Sequence, residues 1–593
     1  MKVYLKPKDS GDDKTAELHR FMPSWGYKCE SNFCKKIELT PENVNTAVSL
    51  SICRLYCNED VGTLWPKPTG EAKMTNDVIK IDLESIKFET NNFKKEPAYW
   101  TLASNRFREM QKKKLPKLFS IKKGGMHLTI EVVVESDDMV FTLTTPEGYK
   151  LKISENSDGN VHAVITAANF YGARNGLETL SQLIVYDNIR NEILIVGSAE
   201  INDAPKFPYR GILLDTARNF FSVESIKRTL EGMAMVKLNT FHWHITDSHS
   251  FPFVMESQPE LSKLGAYSPE KVYTPADIDE IVKFGKARGI RVMPEFDAPA
   301  HVGEGWQKKG LTTCFNAQPW KDFCVEPPCG QLDPSKDEVY NVLEDIYREM
   351  VKYFKDPDIF HMGGDEVHVE CWNSSKTLQD WMLAKGWNLA EEDFMKLWGY
   401  FQDNALERLD KVNFQKVPII LWNSKLTEEP FLSRYLDKNR YIIQIWTTGD
   451  DPKITTLLEK GYKLIVSNYD ALYLDCGFGG WVSDGNNWCS PYYGWQKVYD
   501  NRMETIGGPY SDQIYGASTA LWTEQTDEMA LDSRLWPRAS ALAERLWSNP
   551  EGSWRSAESR MLVHRLRLVD IGGIAADRLQ PEWCLQNEGD CPV

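Results

Sequence analysis

After Phe207 this sequence alternates strand-like and helix-like segments eight times, and few folds accommodate such a repeat. The strand candidates are short apolar runs at residues 211–215, 240–245, 290–294, 359–362, 417–422, 441–446, 463–467 and 517–522. Amphipathic segments separate them, among them 223–237, 275–288 and 336–354. The pattern predicts an α/β fold of the (β/α)8 TIM barrel type. An open doubly wound sheet is the alternative, but neither a dinucleotide-binding glycine fingerprint nor a phosphate-binding loop supports it.

The first 205 residues follow a different pattern. Strand-like runs lie at 78–83, 128–134, 140–144, 148–153 and 161–165, with a turn at 146–148 and a helix-like stretch at 171–183. We therefore expect two domains, an α/β accessory domain at residues 1–205 and the barrel at residues 206–593. The accessory domain carries no recognisable chemistry, so the barrel is expected to hold the functional site.

Composition excludes several classes of function. The 593 residues carry a net charge of −16 and no basic patch stands out, so nucleic acid is not an expected partner. No apolar run approaches the ~18 residues that a membrane-spanning helix needs. The stretch from Met1 to Lys8 lacks the apolar core of a signal peptide, and we interpret the chain as a mature form whose leader is missing.

The twelve cysteines indicate disulfides and therefore an oxidising compartment. Most occur in close pairs, namely Cys29/Cys34, Cys53/Cys57, Cys324/Cys329, Cys476/Cys489 and Cys584/Cys591, which leaves Cys314 and Cys371 to join each other. Among the first four we prefer Cys29–Cys57 with Cys34–Cys53, although the crossed pairing is as compatible with the spacing. Zinc binding is the alternative, but the repeated C-x2-C spacing of structural zinc sites is missing. The acceptor sequence Asn373-Ser-Ser375 predicts glycosylation at Asn373, which agrees with export.

Each predicted strand is followed by a side chain of a type that binds or transforms ligands. These residues are Arg218, Asp247, Asp297, His301, Asp365, Glu366, Trp422, Trp446, Tyr473, Asp475, Trp522 and Glu524. In a barrel of this kind the chemistry lies at the carboxyl ends of the strands and in the loops after them. We therefore expect these side chains to form one pocket.

Three tryptophans in this set, Trp422, Trp446 and Trp522, suit the flat faces of a sugar, whose C–H groups pack on aromatic rings. Taken singly, each is explained as well by a place in the core, since the chain has 20 tryptophans. Their common position at strand ends favours a carbohydrate pocket. Arg218 and Glu524, with other charged residues of the set, could then hydrogen-bond the sugar hydroxyls.

The most informative local motif is Gly363-Gly364-Asp365-Glu366, at the end of the fourth predicted strand. Adjacent side chains on an extended backbone point to opposite faces, so the two carboxylates would hold one substrate in different ways. A glycosidase that uses two protein carboxylates needs them roughly 5 to 9 Å apart on opposite sides of the reacting carbon. Adjacent residues rarely arrange themselves so, which suggests that a group of the substrate acts as nucleophile. A solvated acidic loop is the simple alternative.

Four motifs together resemble one known family. They are His361-Met-Gly-Gly-Asp-Glu366, Arg210-Gly-Ile-Leu-Leu-Asp-Thr-Ala-Arg218, Phe241-His-Trp-His-Ile-Thr-Asp247 and Pro294-Glu-Phe-Asp-Ala-Pro-Ala-His301. They look like the β-N-acetylhexosaminidases of glycoside hydrolase family 20, and the resemblance spans nearly the whole chain. The amino-terminal region resembles the accessory α/β domain of that family. The loops that contain Val325, Glu326 and Trp488 look most like those of insect chitinolytic members.

The resemblance implies a reaction in which the carbonyl oxygen of the substrate's own 2-acetamido group is the nucleophile. Glu366 would be the general acid that protonates the leaving oxygen and then the base that activates water. Asp365 would hold the acetamido N–H and stabilise an oxazolinium intermediate, and Tyr473 would donate a hydrogen bond to the acetamido oxygen. Asp247 and His301 would tune Glu366.

The same resemblance implies binding roles. Trp422, Trp446 and Trp522 would enclose the N-acetyl methyl group and the sugar ring. Arg218 and Glu524 would bind the O3 and O4 hydroxyls, with Asp475 near O6. Trp488 would stack on the second sugar, with Val325 and Glu326 on the same side.

The predicted activity is that of a retaining exo-glycosidase that releases terminal β-linked N-acetylglucosamine from chitooligosaccharides. The alternatives are the same chemistry on N-glycans or other glycoconjugates, and a sugar-binding homologue that has lost catalysis. No cofactor and no metal are expected, although His242 and His244 alternate along one strand and could bind a metal. The family suggests a homodimer, and secretion is the expected location, with the lysosome as alternative.

Overall fold

The computed structural model describes residues 23–57, 61–116, 124–355, 357–413 and 415–591. The interpretation of Met1 to Lys8 falls outside the described residues. By their internal contacts the residues form two compact units. The first comprises the described residues of Met1–Met139, Pro146–Lys206 and Trp547–Val593, and the second comprises Val140–Thr145 and Phe207–Leu546.

The second unit contains a closed barrel of eight parallel strands. They are Tyr209–Asp215, Thr240–His244, Arg291–Glu295, Phe360–His361, Ile419–Trp422, Tyr441–Ile445, Lys463–Val466 and Ile514–Leu521. The first strand pairs with the last as well as with the second, with Gly211 opposite both Ser518 and Thr240. The predicted TIM barrel is confirmed, and each of the eight predicted strand segments overlaps one of its strands.

The interior of the barrel changes character from one end to the other. At the amino ends of the strands, buried apolar residues from different strands meet one another, namely Tyr209, Met293, Ile359, Ile420, Ile442 and Ile465. Toward the carboxyl ends the buried residues become polar or aromatic, with Glu295, Trp422 and Tyr473 among them. The barrel interior is thus packed with apolar side chains at the amino ends of the strands and lined by polar and aromatic side chains at their carboxyl ends.

Helices alternate with the barrel strands. In the second unit they are Val223–Met235, Pro259–Gly265, Pro275–Lys286, Asp337–Tyr353, Val369–Asn373, Lys376–Ala384, Glu391–Val412, Phe431–Tyr435, Pro452–Glu459, Tyr469–Leu472, Trp495–Asp500, Met503–Gly507 and Leu531–Leu535, followed by Arg538–Trp547, whose last residue belongs to the first unit. The helix Pro275–Lys286 begins with a reciprocal capping box between Thr274 and Asp277, as the spacing of these two residues predicts. A short antiparallel pair, Thr312–Thr313 with Gln331–Leu332, lies in the long loop after the third strand.

The first unit is a mixed α/β domain. Its six-stranded sheet runs in the order Ala72–Met74, Ala199–Asp203, Tyr149–Glu155, Val161–Ala167, Leu128–Val134 and Lys87–Thr90. Smaller sheets are formed by Val78–Lys80, Glu192–Val196 and Ile184–Asp187, and by the hairpin Trp25–Glu30 with Phe33–Glu38. The helices are Leu50–Tyr56, Pro97–Lys113, Phe170–Gln182, Glu558–Arg567 and Glu582–Gln586. The predicted accessory domain is confirmed.

The compact units do not coincide with a single division of the chain near residue 205. Residues from Trp547 onward cluster with the amino-terminal residues. Trp547 is fully buried in the core of the first unit, and its Nε1 donates a hydrogen bond to Asp203 Oδ1 at 2.8 Å. His564 stacks on Trp65 with ring centroids 5.7 Å apart. Burial of these side chains, which are distant in sequence from their partners, accounts for the grouping.

One predicted strand of the first 205 residues is wrong. Residues 140–144 form no strand and instead belong to the second unit. Leu143 packs against the apolar cluster at the amino end of the barrel, and the Arg291 guanidinium lies over the Phe141 ring at 4.7 Å. The apolar residues of this segment are therefore explained by packing rather than by sheet pairing.

Six disulfides join the cysteines as Cys29–Cys57, Cys34–Cys53, Cys314–Cys371, Cys324–Cys329, Cys476–Cys489 and Cys584–Cys591. This confirms the expected disulfides, including the preferred pairing of the first four cysteines. Among the described residues, none of the helices is both long and apolar enough to cross a membrane.

Candidate active site

A cavity of about 470 Å³ opens at the carboxyl ends of the barrel strands. Thirteen of the residues predicted from sequence line it: Arg218, Asp297, His301, Val325, Glu326, Asp365, Glu366, Trp446, Tyr473, Asp475, Trp488, Trp522 and Glu524. Two predicted residues, Asp247 and Trp422, are not in the lining and are buried instead. Most residues that the sequence predicts to bind or transform a ligand thus line the same cavity.

A sharp backbone turn brings Asp365 and Glu366 to the same cavity. Gly363 and Gly364 have φ angles of 62° and 83°, and Glu366 has a φ of 51°. A Cβ atom on Gly363 would lie 1.9 Å from Asp297 Oδ1, so only glycine fits there. The backbone after the fourth strand is therefore not extended, and the expectation that the two carboxylates face opposite sides is wrong. Both line one pocket.

Glu366 lies at the outer end of a row of three titratable side chains, the others being His301 and Asp247. Its Oε2 lies 3.2 Å from His301 Nε2, and His301 Nδ1 lies 3.3 Å from Asp247 Oδ2. Burial alone would lower the pKa of His301, but Asp247, Asp297 and Glu366 raise it well above its usual value. The carboxylates thus favour the protonated form of the ring, and its position beside Glu366 lets it orient that side chain.

Arg218 lies beside this chain and is surrounded by carboxylates. Its guanidinium is 2.6 Å from Glu326, 2.9 Å from Asp247 and 3.4 Å from Asp215. Burial opposes its charge, but these carboxylates and Glu524 raise the pKa of Arg218 well above its usual value. A permanent, buried cation with carboxylates around it is suited to binding hydroxyl groups.

The tryptophans occupy different depths. Trp422 is 1% exposed and donates from Nε1 to Glu295 Oε1 at 2.8 Å, so it forms the floor beneath the cavity. Trp522 lies above it, with ring centroids 5.9 Å apart, and is 6.2 Å from the Tyr473 ring. Trp446 donates from Nε1 to the Asn423 carbonyl at 2.7 Å. The cavity therefore has an aromatic floor and wall held by specific hydrogen bonds.

Trp488 lies at the mouth and is 64% exposed. It belongs to a loop closed by the disulfide Cys476–Cys489, and its ring is 5.0 Å from Tyr469 and 6.1 Å from Trp446. The second loop at the mouth, with Val325 and Glu326, is closed by Cys324–Cys329. An exposed aromatic ring on a cross-linked loop gives a firm surface outside the inner pocket.

Several acids of the pocket hold protons more tightly than usual. Burial raises the pKa of Asp475 to about 7. Burial also raises the pKa of Glu524 well above its usual value, although Arg218 opposes the effect. For Asp365, burial raises the pKa, with the Glu366 carboxylate adding to it and His301 opposing it. The pocket is thus a desolvated place where charges interact strongly.

Other residues of the site were given no role in the reaction or in sugar binding from the sequence. The lining also includes His244, Phe478, Trp481, Val482, Asn487, Gln525 and Thr526. Glu295, wholly buried, accepts hydrogen bonds from His242 at 2.9 Å and His244 at 2.7 Å. The alternation of His242 and His244 next to Pro294-Glu295 was the available signal, since neighbouring strands place these residues side by side.

His242, Glu295 and His361 are close enough to meet the spacing of a metal site. The Glu295 oxygens already accept hydrogen bonds from His242, His244 and Trp422, which engages them with protein donors.

Asn373, the predicted glycosylation site, ends the helix Val369–Asn373, is partly buried, and donates from Nδ2 to Glu370 at 3.2 Å. Both the absence of a metal and the glycosylation remain predictions.

Comparison with known proteins follows this geometry. Residues 207–550 match the family model described as glycosyl hydrolase family 20, catalytic domain, and residues 64–183 match one described as beta-acetyl hexosaminidase like. The barrel and the acidic, aromatic-walled pocket at its carboxyl end are those of a glycoside hydrolase. The chain belongs to glycoside hydrolase family 20, and the resemblance inferred from its motifs is confirmed.

Two insect relatives are similar over nearly their full length. The chain is 56% identical over 582 residues to a chitooligosaccharidolytic beta-N-acetylglucosaminidase of Bombyx mori, covering 98% of this chain and 97% of the relative. It is 55% identical to the protein of the same description from Ostrinia furnacalis, covering 96% of this chain and 95% of the relative.

Solved structures agree in fold. A chitobiase of Flavobacterium johnsoniae has a TM-score of 0.68 at 24% identity and covers 86% of this chain and 73% of its own. A family 20 β-N-acetylhexosaminidase of Streptomyces coelicolor has a TM-score of 0.65 at 21% identity, with 88% and 98% covered. At this level of identity the comparison establishes the fold alone.

Proposed function

We propose that this chain is a retaining exo-β-N-acetylglucosaminidase that releases terminal N-acetylglucosamine from chitooligosaccharides by substrate-assisted catalysis. The observation that carries the proposal is the position of Asp365 and Glu366 in one cavity, with His301 Nε2 4.0 Å and 3.2 Å from them. Two adjacent residues on one side of a ligand leave the attack on the reacting carbon to a group of the substrate. In family 20 that group is the 2-acetamido carbonyl.

Glu366 transfers the proton. As general acid it protonates the glycosidic oxygen while the bond to the leaving sugar breaks, and as general base it then takes a proton from the water that opens the intermediate. His301, whose protonated form the nearby Asp247 favours, orients the carboxyl group in both steps. The two half-reactions invert the anomeric carbon twice, so the configuration of the sugar is retained.

Asp365 and Tyr473 act on the acetamido group. Asp365 accepts a hydrogen bond from the acetamido N–H and balances the positive charge of the oxazolinium ring, while Tyr473 donates to the acetamido oxygen. In support, Asp365 Oδ1 is buried with no hydrogen-bond partner in the described part of the chain. Burial raises the pKa of Tyr473 well above its usual value, so its hydroxyl keeps the proton that it donates.

The non-reducing sugar is held by polar groups and aromatic walls. Arg218 and Glu524 bind O3 and O4, and Asp475 lies near O6. Since burial raises the pKa of Asp475 to about 7, this residue can donate a hydrogen bond as a neutral acid in weakly acidic solution. Burial also raises the pKa of Glu524 well above its usual value. Trp446 and Trp522 line the ring, and Trp422 supports the floor.

The preference for chitooligosaccharides is supported by the mouth of the cavity and by the relatives. Trp488 offers a flat ring outside the inner pocket, where a second sugar of a linear chain would stack, with Val325 and Glu326 on the same side. Both insect relatives are described as chitooligosaccharidolytic. The six disulfides favour an oxidising compartment, and we further propose that this chain is secreted as a homodimer glycosylated at Asn373.

The test compares substrates at equal concentration: chitobiose, chitotriose, a branched N-glycan with terminal N-acetylglucosamine, and 4-nitrophenyl N-acetyl-β-glucosaminide. The expected result is release of N-acetylglucosamine from the aryl glycoside and the linear oligomers, with kcat/KM highest on the oligomers. Highest kcat/KM on the N-glycan would overturn the substrate preference. Hydrolysis of none would overturn the activity itself.

A further inference from the structure

One almost wholly buried residue of the cavity lining has no part in the reaction described so far. His244, at the end of the second barrel strand, is 1% exposed. Its Nδ1 lies 2.7 Å from Glu295 Oε2, and its Nε2 lies 2.8 Å from Asp247 Oδ2. Its ring meets Trp522 edge to face, with centroids 5.0 Å apart. His244 therefore connects a buried carboxylate with the one that holds His301.

The two short distances define the protonation of the His244 ring. A neutral imidazole donates through one nitrogen and has a lone pair on the other. At 2.7 Å and 2.8 Å, that lone pair would face an oxygen of Glu295 or Asp247. Two acceptors at such a distance repel each other, so both nitrogens must carry a proton unless one carboxylate is protonated instead.

The other donors around the two carboxylates keep them ionised. Glu295 also accepts from His242 Nε2 at 2.9 Å and from Trp422 Nε1 at 2.8 Å. Asp247 also lies 2.9 Å from Arg218 Nη1. Burial alone would raise the pKa of each carboxyl. Arg218 and His301 instead hold the pKa of Asp247 well below its usual range, and the neighbouring histidines, His361 first, do the same for Glu295. The proton therefore belongs to the ring of His244.

Asp247 contacts three side chains at once: His244, Arg218 and His301. Arg218 Nη1 and His244 Nε2 lie 3.4 Å apart because both donate to Asp247 Oδ2. The same oxygen lies 3.3 Å from Nδ1 of His301, whose other nitrogen reaches Glu366. A substitution at His244 would therefore affect Glu366 through the Asp247 carboxylate and the His301 ring.

The titratable and charged groups around the ring come from four parts of the barrel. They are Arg218 after the first strand, His242 on the same strand as His244, Asp247 in the loop that follows, and Glu295 and Asp297 on and after the third strand. Burial lowers the pKa of His242 to about 4, so that ring is neutral at working pH. His242 and His244 thus share Glu295 as partner but differ in charge.

We propose that His244 is a positioning residue for Glu366: as an imidazolium it orients Asp247 and adds a positive charge behind the His301–Glu366 pair. The inference rests on the proposed role of Glu366 as the general acid and base. Loss of the positive charge on His244 would raise the pKa of both His301 and Glu366, so the direction is the same whichever of the two groups limits the rate. Both limbs of the pH–rate profile should therefore move upward, by about 0.5 to 1 pH unit.

The experiment compares His244→Asn with His242→Asn. Both variants remove a buried ring from the same strand and a donor to Glu295, but only the first removes a charge. Rates on 4-nitrophenyl N-acetyl-β-glucosaminide are measured from pH 4 to pH 9, with thermal melts as a check of folding. For His244→Asn we expect kcat to fall about 10- to 100-fold and both limbs to shift upward. For His242→Asn we expect the limbs to coincide with those of the wild type.

The inference would be overturned if kcat of His244→Asn fell while both limbs of its pH–rate profile stayed where they are in the wild type. Equal shifts of the limbs in both variants would also overturn it. Selective ¹⁵N-histidine labelling of the wild type tests the same point without a variant. Two protonated ring nitrogens for His244 at pH 7 are expected, and one unprotonated nitrogen would overturn the proposal. This measurement needs no activity, so failure of the wild type to release 4-nitrophenol would count against the proposed function alone.

Discussion

His301 and Glu366 face each other at 3.2 Å between Nε2 and Oε2, and both have left-handed backbone angles, with φ of 55° and 51°. Such angles are uncommon for residues other than glycine and cost about 1–2 kcal/mol each. The two residues lie in loops after different strands, the third and the fourth. Strain at both ends of one contact indicates that the surrounding structure holds this pair in place for its function.

Replacement of Glu366 by Gln should reduce kcat by about 100- to 10,000-fold, because the amide has the same shape but no proton to transfer. The loss should be smaller on 4-nitrophenyl N-acetyl-β-glucosaminide than on chitobiose, since nitrophenolate leaves without acid assistance. Steady-state kinetics on both substrates measures the difference, and an unchanged melting temperature serves as control. Near-full activity on chitobiose would contradict the role of Glu366.

Replacement of Asp365 by Asn should lower the rate on N-acetylated substrates by about 100- to 1,000-fold, because the developing positive charge loses its partner. An aryl β-glucoside without the acetamido group, turned over slowly by the wild type, should lose much less. The ratio of the two rates, measured for wild type and variant, gives the answer. Equal losses on both glycosides would argue against substrate assistance.

Substitution Gly363→Ala should destabilise the barrel by about 2–4 kcal/mol, because the new Cβ would lie 1.9 Å from Asp297 Oδ1 on a backbone with φ of 62°. Gly485→Ala is the matched control. Gly485 also has a positive φ, 93°, but a Cβ there meets nothing within 4 Å, so the cost should be about 1 kcal/mol. Chemical denaturation measures both. Similar losses in the two variants would mean that the contact with Asp297 is unimportant.

Asp475 should make stability depend on pH. Burial raises its pKa to about 7 in the folded protein, against ~3.9 in an unfolded chain. The folded state binds the proton more tightly, so this group stabilises the fold fully below pH ~4, and the effect is lost as pH rises through about 7. The melting temperature of Asp475→Asn relative to wild type should therefore increase from pH 4 to pH 8. A melting-temperature difference between Asp475→Asn and wild type that stays constant with pH would refute the assignment. Asp484→Asn, which removes a carboxylate nearby in the chain, is the control.

Replacement of Trp488 by Ala should lower kcat/KM on chitotriose by about 10-fold while the aryl monosaccharide is affected little, because stacking on a second sugar is lost. Trp488 is 64% exposed, so the fold should not suffer. Trp25→Ala, at another exposed tryptophan, 48% exposed, is the control and should leave both substrates unaffected. An equal loss on both substrates would place Trp488 in the inner pocket instead.

The barrel could be predicted from the amino-acid sequence because its signals are local. Strand and helix periods, the Thr274–Asp277 cap and the side chains after each strand are all properties of short segments. Parallel strands place their carboxyl ends at one edge, so a list of strand ends was enough to predict most of the pocket. The prediction of residues 140–144 as a strand was wrong for the same reason: apolar alternation does not distinguish sheet pairing from packing.

What only the tertiary structure decided depends on residues far apart in the chain. His244 has its ring nitrogen beside Glu295, 51 positions away, and Trp547 is buried against Asp203, 344 positions away. Asp365 and Glu366 face one cavity because Glu366 adopts a left-handed angle, which a sequence of non-glycine residues gives no reason to expect. Local pattern thus determined the fold and the members of the site, while their protonation and direction came from contacts that form only when the chain has folded.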